Sequence, residues 1–335
     1  MIYENTRNVV RRFFCGCGVL CCLSTLLSMS ACQHNQPVAS EPQDKLVVGF
    51  SQIGAESAWR TRNTASMKEE AKKQDIQLIF MDAEQKQENQ IKAIYSFIAY
   101  QADVIILAPI VETGWDNALD KAKEAGIPVI VSDRAIKTED ESLYAGFIGS
   151  DFYESGRAAA RFLIKKFQDR TEPIIIYEMM GTDNSTPAIE RHTGFVEVLR
   201  AYPKFQIKYS EMGDFLRSKG KELMAEQISR AQPIDVLYCH NDAMALGAAD
   251  AMEEAGIRPG KDVVIVSIDA EQEAIDAVRD GKINCVIECN PNLGEMAMDL
   301  AQKLDRGEPI PPKTYTDIRV FSEWDDVTNI PARGY

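Results

Sequence analysis

At 335 residues the chain is long enough for two domains, each able to bury its own core. A formal charge of −14 argues against nucleic acid as a partner, and three histidines supply metal or triad chemistry poorly. No P-loop spacing, no Gly-x-Ser-x-Gly elbow and no Cys-x-x-Cys pair occurs.

The first 31 residues read as a signal segment. Arg7, Arg11 and Arg12 form a positive start, and Phe13 to Met29 is an apolar stretch of signal length, too short for a confident membrane span. It ends in Met29-Ser30-Ala31-Cys32, which resembles a bacterial lipobox, with Cys32 the residue to be acylated. An ordinary secreted protein and an uncut membrane anchor are the alternatives. Lipidation would tether the fold without embedding it, and residues 32 to 44, rich in Gln, Pro and Ser, read as a flexible spacer. Removal of residues 1 to 31 takes away three Arg and one Glu and leaves a charge of −16.

From Lys45 onward, short apolar runs alternate with helical patterns. Leu46 to Phe50, Leu78 to Met81, Val104 to Leu107 and Val129 to Val131 read as strands buried on both faces of a parallel sheet. Ile91, Ile94, Tyr95 and Ile98, and then Trp115, Ala118, Leu119 and Ala122, repeat at helical spacing. The alternation begins again with strands at Ile174 to Tyr177, Phe205 to Tyr209, Val236 to Tyr238 and Val263 to Val266, separated by helices near 188–201, 217–230 and 243–255. Ala125-Gly126-Ile127 and Ala255-Gly256-Ile257 repeat one helix stop, with Gly suited to a left-handed C′ position. Two rounds of this alternation predict an α/β fold of two similar lobes with parallel sheets. The strand Asn284 to Glu288 and the helix Leu293 to Arg306 carry the chain back toward the first lobe.

Five of the eight cysteines lie in the signal or at Cys32. Cys285 and Cys289 sit four apart in one strand, roughly 13 Å at about 3.3 Å per residue, too far to bridge each other. They and Cys239 are expected as buried thiols, with a Cys239 bridge to one of the others as the alternative.

Polar side chains recur where strands end: Asp133-Arg134, His240-Asn241-Asp242, Asp269 and Glu288. In open α/β sheets the ligand crevice lies outside the carboxyl ends of the strands, so these residues together describe a polar site. Each has a plainer reading: a structural ion pair for Asp133-Arg134, a helix cap for Asn241 or Asp242. Trp59, in the loop Gly54 to Arg60 with Glu56, Ser57 and Arg60, and Phe215 add aromatic faces, although Trp59 also reads as a core residue. Aromatic platforms beside planar charged groups suit a sugar, whose ring has apolar C–H faces and a rim of hydroxyls. A glycosidase using Asp133 with Asp269 or Glu288 is the enzymatic alternative.

Longer segments then carry a family resemblance: Val48-Gly49-Phe50-Ser51-Gln52, Glu56-Ser57-x-Trp59-Arg60, Gln85 to Ala93, Ala108-Pro109-x-Val111-x-Thr113-Gly114-Trp115, Gly213-Asp214-Phe215 with Arg217 to Lys221, and Gly260-Lys261-Asp262. From Lys45 to nearly the C-terminus the chain resembles the type I periplasmic sugar-binding proteins of ABC importers, the ribose and galactose class and within it the galactofuranose binders. The resemblance implies two Rossmann-like lobes, residues 45–150 with 290–316 and 151–289 with 317–335, joined by three crossing strands. It implies a monosaccharide ligand, no cofactor, no catalysis, a monomer and a membrane permease as partner, at the periplasmic or cell-surface side of a membrane. A sensor that docks on a receptor kinase or chemoreceptor is the alternative role. It further implies that Trp59 and Phe215 stack on the sugar while Arg60, Asp133, Arg134, Arg191, Asn241, Asp269 and Glu288 bind hydroxyls. Arg191 is carried over through Arg191-x-x-Gly194-Phe195. Two stretches depart from the family pattern: Gly181 to Pro187 is bulkier and more acidic, and Ala270-Glu271 replaces a Gly-rich turn.

Overall fold

The computed structural model describes residues 45–335; the predicted signal, Cys32 and the spacer lie outside the described residues. The first lobe contains β1 (Val47–Gln52), α1 (Ala58–Lys73), β2 (Gln77–Asp82), α2 (Gln87–Ala99), β3 (Val104–Leu107), α3 (Asp116–Glu124), β4 (Val129–Ser132) and β5 (Gly146–Gly149). The chain then crosses into α4 (Phe152–Lys166) and the second lobe: β6 (Ile174–Met180), α5 (Thr186–Leu199), β7 (Phe205–Met212), α6 (Arg217–Ser229), β8 (Val236–Cys239), α7 (Asp242–Glu254), β9 (Val264–Asp269), α8 (Gln272–Arg279) and β10 (Cys285–Glu288). It returns with α9 (Gly294–Asp305) and β11 (Lys313–Tyr315), and crosses a third time into β12 (Val320–Ser322).

The sheets are ordered β11-β5-β4-β3-β1-β2 and β12-β10-β9-β8-β6-β7, so the second repeats the first. All pairings are parallel except β12 against β10. The strand at Asn284 to Glu288 therefore stays in the second sheet, and only the helix after it returns to the first lobe. There Ala297, Met298 and Ala301 share a core with Met67 and Ala71 of α1.

The apolar runs of the sequence are explained by two covered faces. In β3, Val104 and Ile106 enter one core cluster and Ile105 and Leu107 the opposite one. In β8, Val236 and Tyr238 face one side and Leu237 and Cys239 the other. Each fully buried apolar side chain of this kind contributes about 1.5–3 kcal/mol. The repeated helix stop is a Schellman motif: Gly126 and Gly256 have φ of +72° and +74°, and the Ile127 and Ile257 amides donate to Ala122 and Met252 carbonyls, both at 2.9 Å.

Strand register makes the lobes superimposable on paper. Val48 pairs with Val104 as Ile176 pairs with Val236, and one residue on, Ile105 pairs with Val129 as Leu237 pairs with Ile265. Four residues further on stand Asp133 and Asp269. They occupy the same place, the carboxyl end of the fourth strand of each sheet.

Candidate functional site

Both strand-end aspartates have left-handed backbones, φ +64° at Asp133 and +136° at Asp269. A side-chain-bearing residue at such φ is uncommon and clusters at functional sites, where surrounding structure holds the strain. Each aspartate meets an arginine delivered by the helix after the first strand of its lobe. Arg60, three residues past the N-cap Ser57 of α1, donates from Nη2 to Asp133 Oδ2 at 2.6 Å. Arg191, six residues past the N-cap Ser185 of α5, stands 3.5 Å from Asp269 Oδ1 and also donates to the His240 carbonyl.

The first-lobe pair extends into a chain of alternating charge. Glu56 Oε1 accepts from Arg134 Nη2 at 2.7 Å and from Arg60 Nη2 at 3.4 Å, and Arg134 Nη1 donates to the Ile110 carbonyl at 3.1 Å. Arg134 is 1% exposed. Burial draws its pKa down and neighbouring Glu56 opposes that; the guanidinium remains the charged form. Arg60, equally buried, ends above its ordinary value because Asp133 and Glu56 outweigh the desolvation.

In the second lobe Phe215 also has a left-handed backbone, φ +62°, and its ring lies against Gly181, where a Cβ would come within 1.8 Å of it. The guanidinium of Arg134 sits 5.1 Å from the Phe215 ring centre and that of Arg191 sits 4.9 Å from Phe152. Asn241 caps α7, its Oδ1 accepting from the Met244 amide at 3.1 Å and its Nδ2 donating to the Phe215 carbonyl at 3.1 Å. Burial pushes the Asp269 carboxyl well up, against the pull of Arg191.

These groups line one narrow cavity between the lobes. Its ionic lining is three arginines, 60, 134 and 191, and three acids, Glu56, Asp133 and Asp269. That balance suits an uncharged, polyhydroxylated ligand better than an anion or a cation. The Nε atoms of all three arginines are buried and, among the described residues, have no hydrogen-bond partner, which is costly unless an acceptor is brought to them.

Residues 48–309 match the periplasmic binding protein domain family. The chain belongs to it. The galactofuranose-binding protein YtfQ of Escherichia coli (strain K12) is 41% identical over 271 residues, covering 80% of this chain and 85% of the relative. A Mycobacterium smegmatis structure in complex with β-D-fucofuranose superimposes with a TM-score of 0.82 at 46% identity, covering 83% of this chain and 92% of that one. The periplasmic binding protein component of the arabinose ABC transporter from Shewanella sp. ANA-3, bound to α- and β-L-arabinofuranose, does so with a TM-score of 0.80 at 45% identity and the same coverage.

Of the residues singled out in sequence, Glu56, Ser57, Trp59, Arg60, Asp133, Arg134, Arg191, Phe215, Asn241 and Asp269 all line the cavity of this family member. Ser57 also caps α1, its Oγ accepting from the Arg60 amide at 3.2 Å. Trp59 packs into the core of the second lobe and its indole N–H donates to the Cys289 carbonyl.

Glu288 is a correction. Its carboxylate accepts from Arg333 of the C-terminal segment, which folds back over the second sheet, and it does not line the cavity. The next residue, Cys289, does, together with Phe152 and Pro187, none of which was singled out. Strand β10 ends at Glu288, and it is the residue beyond it that meets the cavity. His240 and Asp242 also lie outside it: His240 bonds Glu178 at 3.1 Å, and Asp242 accepts from Ser267 and the Glu271 amide. Cys239, Cys285 and Cys289 are all buried free thiols, and burial lifts Cys289 to about 12.

Proposed function

We propose that this protein is the sugar-capturing component of an ABC importer, closing its two lobes on a monosaccharide in furanose form and presenting it to a membrane permease. The observation that carries the reading is the charge-balanced cavity, built at equivalent strand ends of both lobes. Arg60, Asp133 and Arg134 from the first lobe, and Arg191, Asn241 and Asp269 from the second, grip hydroxyls. Trp59 and Phe215 supply the ring contacts. Support for a furanose comes from relatives named for galactofuranose or solved with fucofuranose and arabinofuranose, and support for import from the relative named as part of an arabinose transporter. Micromolar capture requires about 8 kcal/mol, a sum within reach of several charge-assisted hydrogen bonds and two ring contacts once ordering costs are subtracted.

Each acid that a glycosidase would need already holds a guanidinium: Asp133 with Arg60, Asp269 with Arg191 and Glu288 with Arg333. The importer reading is tested by thermal shift against a panel of pentoses and hexoses with amino acids as controls. A rise in melting temperature with arabinose or galactose is the expected result, and a rise with amino acids alone would refute it. Anchoring through acylated Cys32 is part of the proposal, checked by mass spectrometry of the N-terminal peptide; an unmodified Cys32 would refute the lipid anchor.

A further inference from the structure

The two stretches in which the sequence departs from its family pattern are where the second lobe reaches across to the first. Glu271, at the head of α8, extends its carboxylate over the cleft so that Oε1 accepts from the backbone N–H of Trp59 at 3.1 Å. Trp59 is the second residue of α1, whose own first turn contains no acidic residue and whose cap Ser57 serves the Arg60 amide. Helix N-termini leave amides unpaired and favour negative charge. The acid that α1 lacks is thus supplied by the other lobe.

Thr186, the first residue of α5, makes the second contact. Its hydroxyl accepts from the Ala135 amide at 3.0 Å and donates to the Ala135 carbonyl at 2.9 Å, and nearby the Asn184 carbonyl accepts from the Glu112 amide at 3.1 Å. Glu271 and Trp59 are 5% and 4% exposed. Neither Glu271 nor Thr186 lines the sugar cavity. Their cross-lobe bonds require only that the lobes be together.

We infer that Glu271 and Thr186 form a clasp that holds the lobes shut independently of ligand contact, and so sets how long the bound sugar stays. The inference rests on the reading that the cleft opens and closes on a sugar. Interactions that exist only in the closed form slow release without changing entry into the open form, because they bias only the closed state. Glu271 and Thr186 are positioning residues in this scheme, acting through α1 and the segment after β4.

Stopped-flow tryptophan fluorescence with L-arabinose, on the full chain, reads the two rates separately. Glu271→Ala is expected to raise the dissociation rate about tenfold or more, in keeping with loss of a hydrogen bond to a charged group, with the association rate unchanged. Glu271→Gln, whose amide oxygen can accept from the same N–H, should recover most of the loss. Thr186→Val, which keeps the shape and removes the hydroxyl, should raise dissociation several-fold. An unchanged dissociation rate in Glu271→Ala, or equal damage from Glu271→Gln, overturns the clasp. Small-angle X-ray scattering tests it without any ligand: the Glu271→Gln protein should match the wild type, and the Glu271→Ala, Thr186→Val double variant should be wider. If the wild type binds no sugar, the ligand reading fails while the scattering still decides the clasp, because equal radii for wild type and double variant refute it.

Discussion

The two lobes place an aspartate at one and the same strand end and bring an arginine to it from one and the same helix, yet the pairs differ. In the first lobe Arg60 grips Asp133 at 2.6 Å, and a further pair, Glu56 with Arg134, continues the network. In the second, Arg191 comes from one helical turn further along and stands 3.5 Å from Asp269, sharing its donors with a backbone carbonyl. Ala270 stands where the first lobe has Arg134. One scaffold has been used twice, once for a rigid ionic floor and once for a looser face with acceptor capacity to spare and a ring, Phe215, beside it. The contrast suits a trap in which one lobe orients the ligand and the other completes its hydrogen bonds on closing.

The contrast is broken most directly by removing each arginine. Arg60→Ala leaves Asp133 buried without its partner and should cost about 3–5 kcal/mol in urea unfolding. Arg191→Ala should cost less, about 2 kcal/mol, because its contact with Asp269 is the looser one, 3.5 Å against 2.6 Å. Equal losses would mean that the lobes do not differ in the way the distances imply.

A smaller effect separates the lobes by pH. Glu178 is wholly buried in the second sheet and accepts from Ser210, His192 and His240; by strand register its first-lobe counterpart is Phe50. Burial raises its pKa, but the bonds from His192 and His240 win and hold it at about 2. A carboxyl depressed from an unfolded value of about 4.3 stabilises the fold above that pH, and the contribution is lost as pH falls through about 2. Glu178→Gln should therefore flatten the acid limb of stability between those values, measured by urea midpoints; an unchanged limb would place the acid sensitivity elsewhere. A last effect is expected at Gly181→Ala, where the new methyl meets the buried Phe215 ring. It should lower sugar affinity about tenfold, near 1.4 kcal/mol, and cost about 1–3 kcal/mol in unfolding through overpacking; an unaltered Kd would remove Phe215 from the ligand's surroundings.

Much of this was legible in the sequence for a definite reason. Strands such as Val104–Leu107 are covered on both faces and so spell out uninterrupted apolar runs. Helix α1 was not legible, because several of the positions it buries are polar: Arg60, Asn63 and Ser66, which also reach Asp133, Pro291 and Gly294 far along the sequence. Strand β5 has only Phe147 and Ile148 between two glycines, too short a run to stand out. At the site, charged residues at strand ends announced themselves, whereas Phe152, Pro187 and Cys289 looked like ordinary core. Glu288 misled because its partner, Arg333, arrives from a C-terminal segment with no periodic signal.

The most direct test is calorimetric titration of the wild type and of Arg134→Ala with D-galactose, L-arabinose, D-fucose and D-ribose. Binding of at least one furanose-forming sugar at micromolar Kd, lost in Arg134→Ala while cooperative unfolding is retained, is the expected result. Normal binding by Arg134→Ala, or no heat with any sugar, would contradict a sugar site built on the ends of the fourth strands.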